Sequence, residues 1–285
     1  MLFDIVTFGE VLWDVIDGAA HIGGAPFNLA AHGVRCGMRA AVISAVGDDD
    51  LGDGALRELA RLGVDARWVA RNALPTGTVT VTLDRGEPTY QIHQPVAWDA
   101  IPMPAAPETA RAFCFGTLAQ RAEASCATLA RLLADTFKDA LKFFDVNLRQ
   151  DFWSQAQVEA GIASADIIKV NEDEAAVLNG AALASVLREK VVIVTLGAQG
   201  CAVYDRSWPS APVRFPSPRI RLADAVGAGD AFAAAFLAET LNGKSPAEAA
   251  AAGNMRGAWV ASQHGAIPDK EQPPLTNHSS LLTNH

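Results

Sequence analysis

The feature of this chain that most constrains its fold is the alternation of short apolar runs with longer alanine-rich stretches. The apolar runs of strand length are FDIVTFG (3–9), AAVISAVG (40–47), RAFCFG (111–116), ALKFFDV (140–146), ADIIKV (165–170) and KVVIVTLG (190–197). Near-continuous apolar strands separated by helices are typical of a parallel sheet that is covered on both faces. The sequence therefore predicts an α/β fold with a doubly wound, mostly parallel sheet and helices on both of its faces.

Two stretches interrupt this alternation and predict a small additional β-sheet. Residues 11–22 contain two strand-like pieces around a turn at Asp17–Gly18, and residues 75–99 contain two runs of alternating polarity around DRGE. Such alternation indicates hairpins with one polar face. We expect both to form a lid over the carboxyl ends of the parallel strands, where open α/β sheets bind ligands. A surface hairpin with no ligand role is the alternative.

Residues 1–268 are expected to form one domain that includes this lid. The remainder, 269–285, has neither helical nor strand periodicity and is expected to be a peripheral C-terminal tail.

Charge and cysteine usage narrow the class of partner. The formal net charge is −9 and no run of Lys or Arg is present, which argues against nucleic acid or an anionic membrane surface as a partner. The four cysteines form no C-x-x-C pair, which disfavours a zinc site and indicates reduced thiols in an intracellular protein. Asp4 and Glu10 lie within the N-terminal apolar run, so this run predicts a strand and not a signal peptide. A cytoplasmic protein is expected.

A glycine-rich turn precedes the alanine-rich stretch in DAVGAGDAFAAAF (224–236). Gly227, Ala228 and Gly229 are small residues at a predicted helix start, where unpaired N–H groups and the helix dipole attract an anion. Asp230 follows at once and adds a fixed negative charge. We expect the dipole to lower the pKa of this carboxyl group and keep it ionised at neutral pH.

A second glycine-rich turn occurs in HIGGAPFNLAAHG (21–33). Gly23 and Gly24 permit a close approach of the backbone, and Asn28 projects from the helix start with both a donor and an acceptor for a polyhydroxylated ligand. Upstream, Asp14 can accept two hydroxyl protons. The alternatives are a structural turn and a solvated aspartate.

Polar side chains also follow a buried strand in FDVNLRQDFW (144–153). On an extended chain Asp145, Asn147 and Arg149 lie on one side, because side chains alternate with a period of two. They form either a ligand wall or a network that pins the loop.

Two further segments suit a nucleotide and a metal. In KVNEDEAAVL (169–178), Asn171 and Glu174 either close a capping box or direct the water ligands of a Mg²⁺ ion. In TLGAQG (195–200), Thr195, Gly197 and Gly200 suit a turn facing a nucleotide, although a plain β-hairpin explains the glycines equally well.

With these motifs the sequence resembles the ribokinase-like family of sugar kinases, of the phosphofructokinase-B type, over roughly residues 3–268. GGAPFN looks like the N-terminal signature of the family, DAVGAGDAFAAAF looks like its C-terminal signature, and NEDE is similar to its N-x-x-E element. FGEVLWD, FDVNLRQDFW and YQIHQPVAWD look closest to bacterial fructokinases. The resemblance implies transfer of the γ-phosphoryl group of ATP to a monosaccharide hydroxyl, with fructose as the first candidate.

The resemblance also implies roles for individual residues. Asp230 corresponds to the catalytic base, and Gly227, Ala228 and Gly229 supply N–H groups to the transferring phosphoryl group. The sugar would be held by Asp14, Gly23, Gly24, Asn28, Asn147 and Arg149. Asn171 and Glu174 would orient Mg²⁺, while Thr195, Gly197, Gly200 and Asn254 would line the nucleotide side.

The resemblance also implies a cation site, a set of residues that determine sugar specificity, and a dimeric assembly. Asp224 belongs to a loop that in many relatives surrounds a monovalent cation such as K⁺ together with a segment matching residues 264–268, but here Ala225 replaces the usual small polar residue. Trp13, Gln94 and Trp98 are expected to set sugar specificity, and Phe27 stands where smaller residues are common in the sugar pocket. The lid of relatives can pair between subunits, which implies a homodimer.

Several functions stay open. The acceptor can be 2-keto-3-deoxygluconate, ribose or a nucleoside, and a sugar-binding regulator without catalysis is a further alternative. A dinucleotide-dependent oxidoreductase is disfavoured, because GAGDAF lacks the third glycine of G-x-G-x-x-G and lies near the C-terminus.

Overall fold

The computed structural model describes residues 2–16, 18–84, 87–178, 190–205 and 212–269, with the backbone alone at 81–84 and 87–89. Within these ranges the strands are β1 (Phe3–Phe8), β2 (Leu12–Ile16), β3 (Ala19–Gly23), β4 (Ala40–Gly47), β5 (Asp65–Asn72), β6 (Gly77–Asp84), β7 (Glu87–Ile92), β8 (Ala110–Phe115), β9 (Leu141–Asp145), β10 (Ile167–Asn171), β11 (Val191–Thr195), β12 (Cys201–Tyr204) and β13 (Val213–Phe215). The helices are α1 (Ala25–Arg35), α2 (Asp50–Arg61), α3 (Glu123–Arg131), α4 (Gln155–Ser164), α5 (Glu172–Val177), α6 (Ala228–Leu241) and α7 (Pro246–Ala261). Apart from Asp269, the predicted tail lies outside the described residues.

The main sheet has nine strands in the order β13-β12-β11-β10-β9-β8-β1-β4-β5. Its strands are parallel from β11 to β5, and β12 and β13 are added antiparallel at one edge. The strand order reverses between β1 and β8, because β1 is followed by β4 on one side and the chain returns to β8 on the other. Such a switch point opens a crevice at the carboxyl ends of the strands.

Apolar side chains cover both faces of this sheet. Phe143 belongs to the core that also contains Phe232 and Phe236 of α6, whereas Phe144 belongs to the core on the opposite face. There Phe144 packs against Gly161 of α4, and its ring stacks on that of Phe115 at 5.0 Å. Each buried phenylalanine contributes about 1.5–3 kcal/mol. The predicted doubly wound fold is therefore confirmed, with a core on each face.

A four-stranded sheet in the order β3-β2-β6-β7 forms the second layer of β-structure. Strands β2 and β6 pair in parallel and the other two pairs are antiparallel. The Gln150 side chain, in the loop after β9, donates a hydrogen bond to the Tyr90 carbonyl of β7 at 2.6 Å. This small sheet, called the lid below, thus contacts the carboxyl end of the main sheet.

Two features of the fold differ from expectation. Strand β5 was not predicted, because DARWVARN is an edge strand whose residues are mostly half-buried and include three charges. Residues 93–99 leave the lid and lead into a short 3₁₀ turn at Ala97–Ala100. No helix in the described ranges is both long and apolar enough to span a membrane.

Candidate active site

The two glycine-rich turns, which are far apart in sequence, meet at the switch-point crevice. Asn28 lies in the first turn of α1, and Asp230 is the third residue of α6. The Asn28 amide donates a hydrogen bond from Nδ2 to Asp230 Oδ2 at 2.9 Å. Asp230 is half-buried, and this hydrogen bond brings the two turns into direct contact.

Gly227 caps α6 in a conformation that requires glycine. Its φ is +75°, and a Cβ atom there would lie 2.6 Å from the Ala266 carbonyl oxygen. The first N–H groups of a helix have no partner within the helix. Residues 227–229 therefore form a turn, called the anion turn below, whose backbone suits a negatively charged group.

The pKa of Asp230 is raised to about 7 by burial and by the nearby Asp145 carboxylate. Lys169, the hydrogen bond from Asn28 and Arg149 oppose this rise. The expectation that the helix dipole keeps the pKa of Asp230 low was therefore wrong, because loss of hydration outweighs the dipole here. At neutral pH the carboxyl group is poised between its two protonation states.

A buried ion pair lies directly beside the anion turn. Lys169 Nζ contacts both carboxylate oxygens of Asp145, at 2.9 and 2.8 Å, and the two residues are cross-strand partners on β10 and β9. Burial alone would lower the pKa of Lys169, but the attraction of Asp145, Asp230 and Glu174 raises it. A Cβ atom on Gly229 would lie 3.4 Å from Lys169 Nζ, so a positive charge adjoins the turn.

Glu10 lies beneath the first glycine turn. It is 4% exposed, and its Oε1 accepts a hydrogen bond from the Ala25 N–H at 3.2 Å. Burial raises its pKa to about 7, against the attraction of Arg149. Gly24 has a φ of +107°, and a Cβ atom there would collide with the Glu10 carbonyl oxygen.

Asp14 of the lid lies near Arg149 in the loop after β9. Burial raises the pKa of Asp14, while His21 and Arg149 lower it. A Cβ atom on Gly23 would lie 2.6 Å from Asp14 Oδ2, so Gly23 makes room for this carboxylate. The exposed Arg149 guanidinium lies close enough to Glu10, Asp14 and Asp230 to lower the pKa of each.

The prediction that the chain stays extended through Asn147 was wrong, because the φ angle of Asn147 is +46°. The chain turns after β9, and Asn147 lines a cavity of about 20 Å³ with Glu10, Asp145 and Thr117. Such a volume holds about one water molecule. Asp145 and Asn147 therefore border one cavity, where Asp145 pairs with Lys169, whereas Arg149 is exposed and lies near Asp14 of the lid.

Asn171 and Glu174 form the capping box that was one of their two predicted roles. Asn171 Oδ1 accepts from the Glu174 N–H at 2.8 Å, and Glu174 Oε2 accepts from the Asn171 N–H at 2.9 Å. Glu174 Oε1 accepts from the Leu148 N–H at 2.9 Å. Burial and Asp145 raise the pKa of Glu174. In the described part of the chain, no three His, Cys, Asp or Glu side chains are grouped so that they could hold a metal directly.

The residues expected on the nucleotide side secure a backbone segment. The buried Asn254 amide donates from Nδ2 to the Phe215 carbonyl at 2.8 Å, and a Cβ atom on Gly200 would collide with that same oxygen. Thr195 Oγ1 donates to the Val170 carbonyl at 3.3 Å, and Gly197 starts an exposed 3₁₀ turn before β12. The hairpin alternative is thus present, and Asn254 acts on the chain rather than pointing into the cleft.

Asp224 ties its loop to the segment 264–268. Its Oδ1 accepts from the Val226 N–H at 2.9 Å and its Oδ2 from the Gly265 N–H at 3.1 Å. These bonds bring together the two segments expected around a monovalent cation.

Three aromatic residues expected near the sugar lie elsewhere. Trp98 is 1% exposed and stacks against the Arg121 guanidinium at 3.9 Å. Trp13 projects from the opposite side of β2 to Asp14, and its indole N–H donates to the Leu51 carbonyl at 3.0 Å. Phe27 is fully buried in the core. These predictions were wrong because residue type alone does not distinguish an aromatic residue of a pocket from one of the core. The fourth residue expected near the sugar, Gln94, is exposed.

Glu10 and Lys169 were missed as site residues, and the pairing of Lys169 with Asp145 was not foreseen. A lysine within the apolar run ADIIKV and a glutamate within the N-terminal strand region are the signals in the sequence, because a buried charge requires a partner. The partner itself is decided by strand register.

The sequence pattern of the pfkB family of carbohydrate kinases matches residues 4–273. Fructokinase of Klebsiella pneumoniae is 31% identical over 261 residues, which cover 82% of this chain and 83% of the relative.

Two solved structures of sugar kinases have a fold similar to that of this chain. The Vibrio cholerae fructokinase bound to fructose, ADP and calcium superimposes with a TM-score of 0.82 at 26% identity, covering 93% of this chain and 95% of the other. A sugar kinase of Pyrococcus horikoshii in complex with ATP superimposes with a TM-score of 0.80 at 28% identity, covering 92% and 94%.

Proposed function

The chain belongs to the pfkB family of carbohydrate kinases, and from this premise we propose that it phosphorylates fructose with Asp230 as the general base. Transfer of a phosphoryl group from ATP to a sugar hydroxyl is the activity of this chain. The observation that carries the assignment of the base is the bond between Asn28 and Asp230, which joins the two glycine turns in one cleft.

In this reaction Asp230 has to align the attacking hydroxyl more than it has to be a strong base. Phosphoryl transfer passes through a loose transition state, in which the nucleophile is still weakly bonded and charge spreads over the equatorial oxygens. Asp230 accepts the hydrogen bond of the attacking hydroxyl and receives its proton late. A pKa of about 7 suits this task, because a catalytic group is most effective when its pKa lies near the working pH.

Gly227, Ala228 and Gly229 donate backbone N–H groups to the transferring phosphoryl group. Lys169, beside Gly229, adds positive charge next to this position. Asp145 holds the ammonium group in place through two hydrogen bonds. Preorganised donors of this kind stabilise the charge that develops in the transition state.

The sugar lies between the lid and the first glycine turn. Asp14 accepts hydrogen bonds from its hydroxyls, and the Asn28 amide can both donate to them and accept from them. Asn147 and Arg149 border the sugar, and Gly23 and Gly24 allow its close approach. Fructose is proposed because the relatives include fructokinases and because the Vibrio cholerae structure contains fructose.

Mg²⁺ bound with the nucleotide would shield the charge of the phosphates. Asn171 is exposed at the cleft end of β10 and fits such an ion held through water. The buried Glu174 beside it would add negative charge while its two oxygens accept backbone hydrogen bonds. Thr195, Gly197, Gly200 and Asn254 shape the nucleotide side. Asp224 and residues 264–268 would hold K⁺ through backbone carbonyls.

We further propose that the lid closes over bound sugar, so that ATP is not hydrolysed in an open site. The hydrogen bond between Gln150 and Tyr90 supports a lid that reaches the loop after β9. The proposal includes a homodimer that pairs through the lid. It also includes a cytoplasmic location, which suits the four free cysteines.

A coupled assay of ADP release across a sugar panel tests this function. The panel contains fructose, ribose, 2-keto-3-deoxygluconate and a nucleoside, and NMR identifies the phosphorylated position. We expect fructose to give the highest kcat/KM. A higher value for another acceptor would replace fructose, and binding of sugar without ADP release would indicate a regulator.

A further inference from the structure

A buried histidine on α1 contacts the segment behind the anion turn. His32 is fully buried, and its Nε2 lies 2.9 Å from the Ala266 carbonyl oxygen. It follows Asn28 by four residues, so both side chains lie on the same face of α1. Helix α1 packs against α6, and Asn28 reaches Asp230 of α6 from this face.

Ala266 is in close contact with the cap of α6. A Cβ atom on Gly227 would lie 2.6 Å from the Ala266 carbonyl oxygen and 2.7 Å from its Cα. Asp224 holds the neighbouring Gly265 N–H at 3.1 Å. The segment 264–268 therefore forms the wall against which the anion turn rests, and a shift of this wall moves the turn.

His32 is held as a neutral donor. A carbonyl oxygen can only accept, so Nε2 carries the proton, and Nδ1 is buried without a hydrogen-bond partner among the described residues.

We propose that His32 is a positioning residue that fixes the anion turn by holding the Ala266 carbonyl. Through one helix face, α1 then fixes both parts of the phosphoryl site: Asn28 holds Asp230 and His32 holds the wall behind Gly227. The inference rests on the proposed function, because it assumes that residues 227–229 bind the transferring phosphoryl group. A small misplacement of such donors lowers turnover strongly.

The test compares His32→Leu with His32→Gln and measures kcat and both KM values. Leucine has a similar size but no donor, whereas the glutamine amide nitrogen can occupy the position of Nε2. Met38→Ala, in the core beyond the C-terminal end of α1 and near Gly33, is the control for a loss of packing. Turnover is divided by the amount of folded protein in each sample, and thermal unfolding shows that each variant is folded at the assay temperature.

We expect His32→Leu to lower kcat at least about tenfold, with the KM for sugar changed less than about threefold. His32→Gln should restore most of kcat, and Met38→Ala should retain it. A second readout is binding of ADP with aluminium fluoride, which imitates the transferring group: His32→Leu should weaken it while leaving binding of ADP alone unchanged.

An unchanged kcat in His32→Leu, or an equal loss in His32→Gln, would overturn the inference. So would equal weakening of ADP with and without aluminium fluoride. Failure of the proposed function is distinguishable, because Asp230→Asn would then retain turnover, whereas failure of this inference alone leaves Asp230→Asn inactive and His32→Leu active.

Discussion

Replacing Glu10 by glutamine removes a buried charge while retaining the oxygen to which the Ala25 N–H donates. Burial raises the pKa of Glu10 from its ordinary 4.5 to about 7. Each pKa unit corresponds to 1.36 kcal/mol, so ionising this side chain at pH 8 costs the folded state about 3 kcal/mol. Below pH 4.5 both states hold the proton and the cost vanishes.

The pH window follows from this rise in pKa. Between about pH 4.5 and 7 the folded chain keeps a proton that the unfolded chain has released, so wild-type stability falls as pH rises across this range. Glu10→Gln is neutral at every pH. We therefore expect the variant to gain up to about 3 kcal/mol over the wild type at pH 8 and almost nothing near pH 4.5.

Urea unfolding at the two pH values measures this difference. Glu159→Gln, on the exposed side of α4, is the control and should change stability equally at both. A Glu10→Gln gain that is the same at pH 4.5 and pH 8, or a loss at pH 8, would refute the reasoning that Glu10 is a costly buried carboxylate.

Three further predictions concern the Arg121–Asp99 ion pair, the protonation of Asp230 and the lid. The Arg121 guanidinium makes two hydrogen bonds to the buried Asp99 at 2.7 and 2.9 Å, and its loss leaves this carboxylate without its ion-pair partner, with the Val96 N–H still bound to Oδ2. Arg121→Met should destabilise the fold by about 3–5 kcal/mol in thermal unfolding, and a loss below about 1 kcal/mol would contradict this. The kcat/KM for sugar should fall about tenfold per pH unit below about pH 7, as Asp230 becomes protonated; a flat profile from pH 5 to 8 would argue against it. Deleting the lid tip, residues 84–93, should raise ATP hydrolysis relative to sugar phosphorylation, and an unchanged ratio would count against closure of the lid.

The sequence could predict those parts of the fold that depend on local pattern. The run 40–47 coincides with β4, because a short, continuous apolar run of strand length is typical of a strand that is buried on both faces, as β4 is. Strand β5 was missed because an edge strand is half-exposed and its alternation is broken by charges. Its place beside β4 is decided by tertiary packing, which periodicity does not report.

The same division holds for the site. Asp230 and Asn28 lie in short motifs that were predictable, but their hydrogen bond joins residues more than 200 positions apart and depends on how α1 packs on α6. Lys169 and Asp145 meet because β9 and β10 pair in one particular register. The raised pKa of Asp230 also required the structure, since it arises from burial and from a neighbouring carboxylate that the motif does not contain.

The central claim is that Asp230 takes the proton of the sugar hydroxyl, and Asp230→Asn tests it most directly. Asparagine keeps the size of the side chain and its contact with Asn28 but cannot accept a proton. With calorimetry showing fructose and ATP still bound, we expect kcat in the ADP-release assay to fall at least about a hundredfold. Near-normal turnover by this variant would contradict the account.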